Sequence, residues 1–376
     1  MKLFSKKQKG SAPVVQTAPK GSASFCTDFS QNAQAEYALY ESLRANVPVI
    51  DAAITKLVRL LGTFEVQAGD SRFQSELEDF VKNVRCAGAS VGLHSFMCGY
   101  FDRLLTFGEV VGEVIVEPEF SGVYGLYTAS HKDVKLKLSA DPTKVLVCRN
   151  DVQNTPFENQ DLLFCSLLSP EPGTAKGTPI LKGLPFVSMV LMRIFESVSQ
   201  NFERAGNIRY AVSYKPQQGS TVNASQRARE IAAEWSKAMR DDRGLSDFIS
   251  VGDVSVKVIG ADNQVLDCDV PVKHLLEQIV SKLCIPPFLL GLSWSSTERM
   301  STVQADILTS EIEYYRTLLE PVIRKICTAH LRMLGCRADV SVSWSNISLL
   351  DEVELARARL LNAQAREVEE RLEVQD

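Results

Sequence analysis

Apolar residues recur at helical spacing along the first third of the chain. This pattern predicts two helices between residues 34 and 61, and Pro48 is placed as a first-turn proline of the second one. The same spacing predicts helices over residues 73–84 and 93–105, and Gly108 is expected to close the last of these. This part of the chain is therefore predicted to be mainly helical, with one short strand at residues 63–68.

The spacing changes from helical to alternating after Gly108. Alternation predicts strands over residues 109–117, 123–127, 134–138, 144–149 and 162–168. We expect these strands to form a meandering antiparallel sheet beside the helices, so the fold class is α+β. The segment 169–182 is rich in proline and glycine and is predicted to be a linker.

A second helical region follows the linker. A strong apolar stripe predicts a helix from Phe186 to Phe202 that Gly206 stops, about 30 Å long at the α-helical rise. A small α/β insert comes next, with strands predicted at residues 208–214 and 254–258 and a helix around residues 231–239.

The segment from Val272 to Gly335 is predicted to be a helix, a break, a loop and a longer helix. Pro286 and Pro287 remove two backbone donors and end the first helix. The polar run Ser293–Arg299 follows, and helical spacing then continues past Pro321, so we expect a kink there and not a stop. A strand at residues 340–344 and a charged helix from Asp351 complete the chain.

Composition limits the classes of function. The 376 residues are 45% hydrophobic, so most of the chain should fold. The net charge of −5 means that the protein has no overall positive field that would bind nucleic acid tightly. The nine cysteines are too far apart for a zinc knuckle and indicate reduced thiols. Residues 1–33 read as a flexible polar arm without the apolar core of a signal peptide. Charges within the helix from Phe186 argue against a membrane span.

Catalytic motifs are weak. Gly88–Gly92 matches the GxSxG elbow of serine hydrolases, but a helical flank precedes it, so a turn between helices is the favoured interpretation. Gly173–Thr178 lacks the Walker A pattern, and the four histidines are mutually remote. Three glutamates alternate along the first long strand and are too widely spaced for shared proton chemistry; they are Glu109, Glu113 and Glu117. The sequence therefore predicts no catalytic residue, no metal site and no cofactor.

A group of lysines lies in the predicted sheet. These residues are Lys132, Lys135, Lys137 and Lys144. They could bind nucleic acid, but the solvated face of a half-buried strand is the favoured interpretation.

Several separate marks, taken in order, resemble one protein family. They are the helix–glycine–strand passage LLTFGEVVGEVIVEP, Gly177–Leu181 before the long helix, the segment CIPPFLLG at 284–291, Ser296-Thr297, and Leu318–Pro321. Their order and spacing, from about Tyr37 to Leu334, resemble portal proteins of tailed bacteriophages of the HK97-like kind. The family usually has Gly-x-Ser-Pro-Leu where this chain has Gly177-Thr178-Pro179-Ile180-Leu181, so the serine is missing.

The resemblance implies a portal fold with an α+β wing, a helical stem, a small α/β clip, a kinked tunnel helix and a helical C-terminal crown. It divides the chain into the arm (1–33), the wing (34–185), a stem helix (186–206), the clip (207–270), a second stem helix (271–284), a tunnel loop (285–301), a kinked helix (302–335) and a C-terminal strand with the crown helix (336–376). The residues expected to form the channel loop are Ser293, Trp294, Ser295, Ser296, Thr297, Glu298 and Arg299, with Pro286 and Pro287 defining the loop and Pro321 the kink.

The resemblance also implies the partners. They are further copies of the chain in a ring, typically of twelve, at a capsid vertex of the virion, the terminase large subunit, the major capsid and scaffolding proteins, a head-tail adaptor, and double-stranded DNA without sequence specificity. Assembly is expected in the cytoplasm of the bacterial host. Two alternatives stay open: a serine hydrolase that uses Ser90, and an oligomeric scaffold that conducts no DNA.

Overall fold

The computed structural model describes residues 33–86, 88, 90–119, 121–206, 209–214, 229, 230, 233, 254–259, 268–292 and 298–347. Among these residues the α-helices are α1 (Ala33–Asn46), α2 (Pro48–Leu60), α3 (Gln74–Asn83), α4 (Leu93–Phe107), α5 (Leu184–Gly206), α6 (Asp269–Leu283) and α7 (Glu298–Met333). The strands are β1 (Phe64–Ala68), β2 (Arg85–Cys86), β3 (Glu109–Val116), β4 (Val123–Thr128), β5 (Val134–Leu138), β6 (Val145–Arg149), β7 (Leu163–Leu167), β8 (Arg209–Tyr214), β9 (Val254–Ile259) and β10 (Val340–Trp344). Short 3₁₀ turns cover Ser71–Phe73, Gln160–Leu162 and Pro287–Leu290.

The helical part of the prediction is confirmed at the junction of α1 and α2. Val47 has extended backbone angles, and Pro48 occupies the first turn of α2, where its missing N–H costs no hydrogen bond. The apolar stripe of α2 is buried as expected at Ile50, Ala53 and Ile54. This stripe packs with α4 in the main hydrophobic core.

Gly108 and Gly177 are in close backbone contact at the junction between α4 and β3. Gly108 ends α4 with a φ of 80°, a conformation that favours glycine. A Cβ atom at Gly177 would lie 1.8 Å from the Gly108 carbonyl oxygen, so the two backbones approach too closely for any side chain there. The Leu168 N–H donates to that same oxygen at 2.7 Å. The predicted linker 169–182 is therefore partly packed into the protein, and Leu181 within it is fully buried.

The main sheet has the strand order β2-β4-β3-β7. Strands β4 and β7 run antiparallel to β3, whereas β2 runs parallel to β4. Val110, Val114 and Leu126 point into the main core. Gly112 lies directly beneath the ring of Phe164, where a Cβ atom would be 2.2 Å from that ring. The sheet thus has one face fully packed by the helices and by this aromatic side chain.

The prediction of a single meandering antiparallel sheet is wrong. Strands β5 and β6 pair only with each other and form a separate hairpin. The hairpin covers Val111 with Leu136 and Val147, so the strand face that carries the glutamates is not uniformly solvated. Strand β2 was not predicted, because a two-residue strand is too short to show alternation.

Strand β1 pairs antiparallel with β10, close to the end of the described chain. Beside this sheet the Arg316 guanidinium donates from Nε and Nη2 to the Leu61 carbonyl oxygen at 2.9 and 2.7 Å. That carbonyl belongs to the negative end of the α2 dipole, where a cation is stabilising. Burial lowers the pKa of Arg316, whose guanidinium also lies 5.1 Å from the centre of the Trp344 ring. Arg316 therefore ties α7 to the end of α2.

Helices α5 and α6 pack against each other, and the sequence between them contains β8 and β9. These two strands pair antiparallel in full register, from Arg209 opposite Ile259 to Tyr214 opposite Val254. Residues 229, 230 and 233 are helical, while most of the predicted insert helix lies outside the described residues. The predicted C-terminal crown helix lies outside them as well.

Helix α7 has 36 residues and contains Pro321. At 1.5 Å per residue it is about 54 Å long. The helix continues to Met333, and Leu319 and Ile323 on either side of the proline are fully buried. The predicted kink at Pro321 stays a prediction.

Candidate subunit-contact surfaces and channel segment

The predicted channel loop falls into two parts, one outside the described residues and one at the start of α7. Residues 293–297, and with them Ser293, Trp294, Ser295, Ser296 and Thr297, lie outside the described residues. Glu298 and Arg299 belong to the first turn of α7, which begins earlier than the predicted helix. The side chain of Arg299 is exposed.

The two prolines shape the segment between α6 and the loop. Helix α6 ends at Leu283, and Cys284 adopts a left-handed conformation with a φ of 53°. Pro286 is extended and Pro287 opens a 3₁₀ turn that Gly291 closes with a φ of 74°. The apolar residues of this segment pack on the main core, namely Ile285, Leu289 and Leu290. The chain thus leaves α6 pressed against the protein before the loop begins.

Helix α7 carries two apolar faces. Its buried face includes Leu308, Ile312 and Leu319, which are at most 1% exposed. The opposite face has a second row of large apolar residues that are about half exposed, Met300 (54%), Val303 (52%), Ile307 (57%) and Tyr314 (49%). These four form the α7 stripe. Their spacing of three, four and seven residues aligns them on one side over about 21 Å.

The sequence reasoning missed the α7 stripe. The expectation of continuous helical spacing did not separate Val303 and Ile307 from Ile312 and Leu319, although at 100° per residue the two pairs lie on nearly opposite sides of the helix. The sequence of α7 contains two interleaved series of apolar residues at helical spacing, one for each face of the helix. A helix with two apolar faces has more apolar surface than one folded chain covers.

Helix α5 is apolar on nearly every side of its first half, and Phe202 adds an exposed aromatic ring in its second half. Leu184, Ser188 and Leu191 are buried. Phe186, Met189, Met192, Phe195 and Phe202 are between 38% and 59% exposed. A helix that is hydrophobic all round is normally buried in the complete assembly. We call these five side chains the α5 surface.

A polar cluster holds α1 against the sheet. The Tyr37 hydroxyl donates to Glu109 at 2.5 Å, and Lys176 pairs with Glu36 at 3.0 Å. Burial raises the pKa of Glu109, and burial next to that carboxyl raises the pKa of Tyr37. Every charged partner in this cluster is engaged within the chain, so its evident role is to attach α1.

The histidines have structural surroundings. His131 packs on Tyr37 and Phe107, with ring centres 4.6 and 3.8 Å away, and burial lowers its pKa. His330 stacks on Phe80 at 4.0 Å. No group of three or more residues able to hold a metal ion exists within the described ranges. No helix in the described part of the chain is both long and apolar enough to cross a membrane.

The described residues on either side of the GxSxG segment are joined by backbone hydrogen bonds. Val84 and Cys86 are hydrogen-bonded to Gly92 and Ser90, and Arg85 lies opposite Val91. The groove beside Ser90 is lined by Arg85, Cys86, Gly88, Val91, Ile115, Tyr124, Gly125, Leu126 and Tyr127. That lining offers Ser90 no histidine or carboxylate as a base, so the geometry does not support the hydrolase alternative.

The lysines of the β5–β6 hairpin are exposed, as the interpretation of a solvated face predicts. Lys132, Lys135, Lys137 and Lys144 all have exposed side chains. Nothing in their arrangement forms an enclosed phosphate site.

Comparisons with solved structures identify the fold. No protein-family model and no curated protein matches the sequence. A chain in the "Neck of native GTA particle computed with C12 symmetry" matches with a TM-score of 0.65 and 13% identity, over 87% of this chain and 88% of that chain. A chain in the virion of the native gene transfer agent (GTA) particle matches with a TM-score of 0.62 and 13% identity, over 87% of this chain and 88% of that chain.

A crystal structure of an HK97 family phage portal protein from Corynebacterium diphtheriae also aligns, with a TM-score of 0.42 and 11% identity, over 81% of this chain and 94% of that chain. The likeness to the two GTA chains shows the fold. The α+β fold predicted from the sequence is confirmed by their likeness.

Proposed function

We propose that the chain is a portal subunit that forms a ring-shaped channel for double-stranded DNA at one vertex of a capsid. The observation that carries the proposal is the fold, which is shared over 87% of the chain with a protein in a particle neck computed with C12 symmetry. The order of portal-like sequence marks from about Tyr37 to Leu334 supports it independently.

Large apolar side chains that are about half exposed support assembly into a ring. The α7 stripe and the α5 surface are different surfaces of one chain. When one surface of a copy meets a different surface of the next, the contact is heterologous, and a suitable rotation closes it into a ring. Twelve copies is the number that the portal resemblance implies.

The segment between α6 and α7 is proposed to reach the axis of the ring. Pro286 and Pro287 hold its first part against the core, which leaves Ser293–Arg299 to project. A duplex must slide through such a channel, so firm phosphate binding at every subunit would slow it. A chain with a net charge of −5 avoids that problem, because it releases few counterions from the DNA.

The partners follow from the same proposal. The portal would dock the terminase large subunit during packaging and a head-tail adaptor afterwards, within a shell of major capsid protein assembled with scaffolding proteins. ATP hydrolysis is assigned to the terminase, since Gly173–Thr178 does not have the Walker A pattern. The assembled portal would belong to the virion after assembly in the host cytoplasm.

Substitutions in the loop test the channel part of this proposal. Trp294→Ala and Glu298→Arg should leave ring assembly at the level of the unchanged protein and strongly reduce DNA packaging, because the loop would face the duplex. Val152→Ala, at a fully exposed position, serves as the control and should change neither. Packaging is measured as DNA protected from nuclease in filled capsids. Loss of folding in the loop variants would place the loop in the core, and unchanged packaging would remove it from the channel.

A further inference from the structure

The outer face of the main sheet carries an apolar groove that the ring proposal does not use. Val91, Ile115, Tyr124 and Tyr127 are 61%, 41%, 47% and 43% exposed. With Arg85 and Gly125 they border a groove of about 450 Å³, which we call the sheet groove. Exposed aromatic and aliphatic side chains gathered in one concave place indicate a docking site.

The floor of the sheet groove is made by a glycine. Gly125 is opposite Ile115 on one side and opposite Arg85 on the other. Cross-strand partners project from the same face of a sheet, so the missing side chain leaves a notch between those of Ile115 and Arg85. The Arg85 side chain is fixed as one wall, because Nη1 donates to the Tyr124 hydroxyl at 2.6 Å.

One side of the groove is bounded by Val91, which forms an isolated antiparallel bridge with Arg85. The Cys86 N–H donates to the Ser90 oxygen at 3.1 Å, and the Gly92 N–H donates to the Val84 oxygen at 2.8 Å. This pattern makes Arg85 and Val91 a non-hydrogen-bonded pair, so the N–H and C=O groups of Val91 point away from Arg85. Neither group has a hydrogen-bond partner among the described residues. Val91 therefore leaves one N–H and one C=O group available to an additional extended segment.

The strands around the groove carry an excess of acidic side chains. Glu113 in β3 is exposed beside Tyr127. Glu117 and Glu119 come directly after the end of β3. Arg85 is the one basic residue of the groove lining, and it already interacts with Tyr124. A basic, extended and partly apolar segment would complement this surface.

Residues 1–32, which precede α1, have that character. They contain five lysines and one aspartate. Val14, Val15 and Thr17 lie between Pro13 and Pro19, and both β-branched residues and the positions before proline favour extended backbone. Lys9 and Lys20 flank this stretch.

The segment is long enough to reach the groove of its own chain. Tyr37 attaches α1 at Glu109, the first residue of β3. Ile115 is six residues further along β3, about 20 Å away at ~3.3 Å per residue. Ala33 is 18 positions after Val15, and the chain between them spans up to about 60 Å when extended.

We propose that the N-terminal segment binds back into the sheet groove of its own chain as an added strand, with residues 14–17 along the Val91 edge and the lysines near Glu113, Glu117 and Glu119. This strap would cover the exposed aromatic side chains of the sheet. It does not depend on the ring proposal, since each copy would form it alone.

Hydrogen–deuterium exchange of the full chain tests the strap. In the unchanged protein the amides of residues 84–92 should exchange roughly tenfold more slowly than in Val14→Asp/Val15→Asp, because docking protects the Val91 edge. Ile115→Asp changes the other partner and should give the same loss of protection. Val152→Asp, at a position with 102% exposure, is the control and should leave exchange unchanged. Equal exchange in the unchanged protein and the Val14→Asp/Val15→Asp variant would overturn the proposal.

Crosslinking identifies which copy supplies the strap. A photoreactive residue at position 15 should couple to the peptide 84–92 in a mixture of isotopically heavy and light chains. Adducts within one isotopic form are expected. Mixed heavy–light adducts, or coupling to other parts of the protein, would overturn the assignment to the chain's own groove.

Discussion

Gly108 and Gly177 show how single residues fix a contact between distant parts of the chain. They are separated by 68 residues in the sequence, and both belong to marks that resemble portal proteins. In the structure they touch, because a Cβ atom at Gly177 would be 1.8 Å from the Gly108 oxygen. The sequence predicted the end of α4 at Gly108 from its position after a helical stripe, but it gave no sign that the second glycine was required by the first.

A substitution at Gly177 tests this contact. Gly177→Ala should lower the free energy of unfolding by about 3 kcal/mol or more, because the backbone of either segment must move to admit the new methyl group. Gly99→Ala is the matched control, since Gly99 lies in the interior of α4 with no atom within 4 Å of an added Cβ. That control should be neutral or stabilising by up to about 1 kcal/mol. Urea unfolding measures both, and equal effects would contradict the close approach.

His330 provides a pH-sensitive contact at the same scale. Its Nδ1 accepts a hydrogen bond from the Val123 N–H at 3.3 Å, which requires an unprotonated nitrogen. Burial lowers the pKa of His330, while Glu76 and Glu117 act in the opposite direction. The folded protein therefore favours the neutral ring, and the stabilising contribution is present above the unfolded pKa of about 6.5 and lost as the pH falls through the folded pKa.

We expect His330→Phe to weaken this dependence. The variant should unfold about 1 kcal/mol more easily at pH 8, where the hydrogen bond is lost, and its free energy of unfolding should fall less between pH 7 and pH 5. The control Val152→Phe, at a fully exposed position, should keep the slope of the unchanged protein. Urea unfolding at several pH values gives the slopes. A slope in His330→Phe equal to that of the unchanged protein would show that His330 does not contribute.

Among the elements of the fold, helix α7 has two roles. Its buried face anchors it in the core, and Arg316 ties it to α2. The side chains of its other face, the α7 stripe, are about half exposed in the single chain. The element therefore combines an internal packing role with a surface suited to another copy of the chain.

Ile307→Asp tests whether the α7 stripe is a subunit contact. A charge placed in an apolar interface should weaken each contact by roughly 3 kcal/mol, more than a hundredfold in its dissociation constant. The fold of the single chain should change little, because Ile307 is 57% exposed in it. Val152→Asp introduces the same charge at an unrelated exposed site and should assemble normally. Light scattering reports the assembly state, and circular dichroism reports the fold. Normal assembly of Ile307→Asp would remove the stripe from the interface.

Periodicity predicted the positions of helices and strands better than it predicted which strands pair with each other. Pro48 and Gly108 marked helix boundaries because their effects are local. Alternation in β5 and β6 indicated strands with one apolar and one polar face. It could not show that the two strands form a hairpin separate from the main sheet and cover Val111. Pairing of β1 with β10 joins residues about 280 positions apart, which a local pattern does not encode.

At the scale of the whole molecule, the order of elements was more informative than any single motif. The long helix α5, the β8–β9 insert, α6, the proline turn and α7 follow one another as the portal resemblance implies. The fold likeness to the GTA neck chain agrees with that order. The channel residues were named from the resemblance alone, and their positions from Ser293 to Thr297 lie outside the described residues.

Electron microscopy of the purified full-length protein tests the central claim most directly. We expect closed rings with an axial hole wide enough for a DNA duplex, and class averages with twelvefold symmetry. Isolated monomers under all solution conditions, or rings without an axial hole, would contradict a portal and favour a scaffold that conducts no DNA.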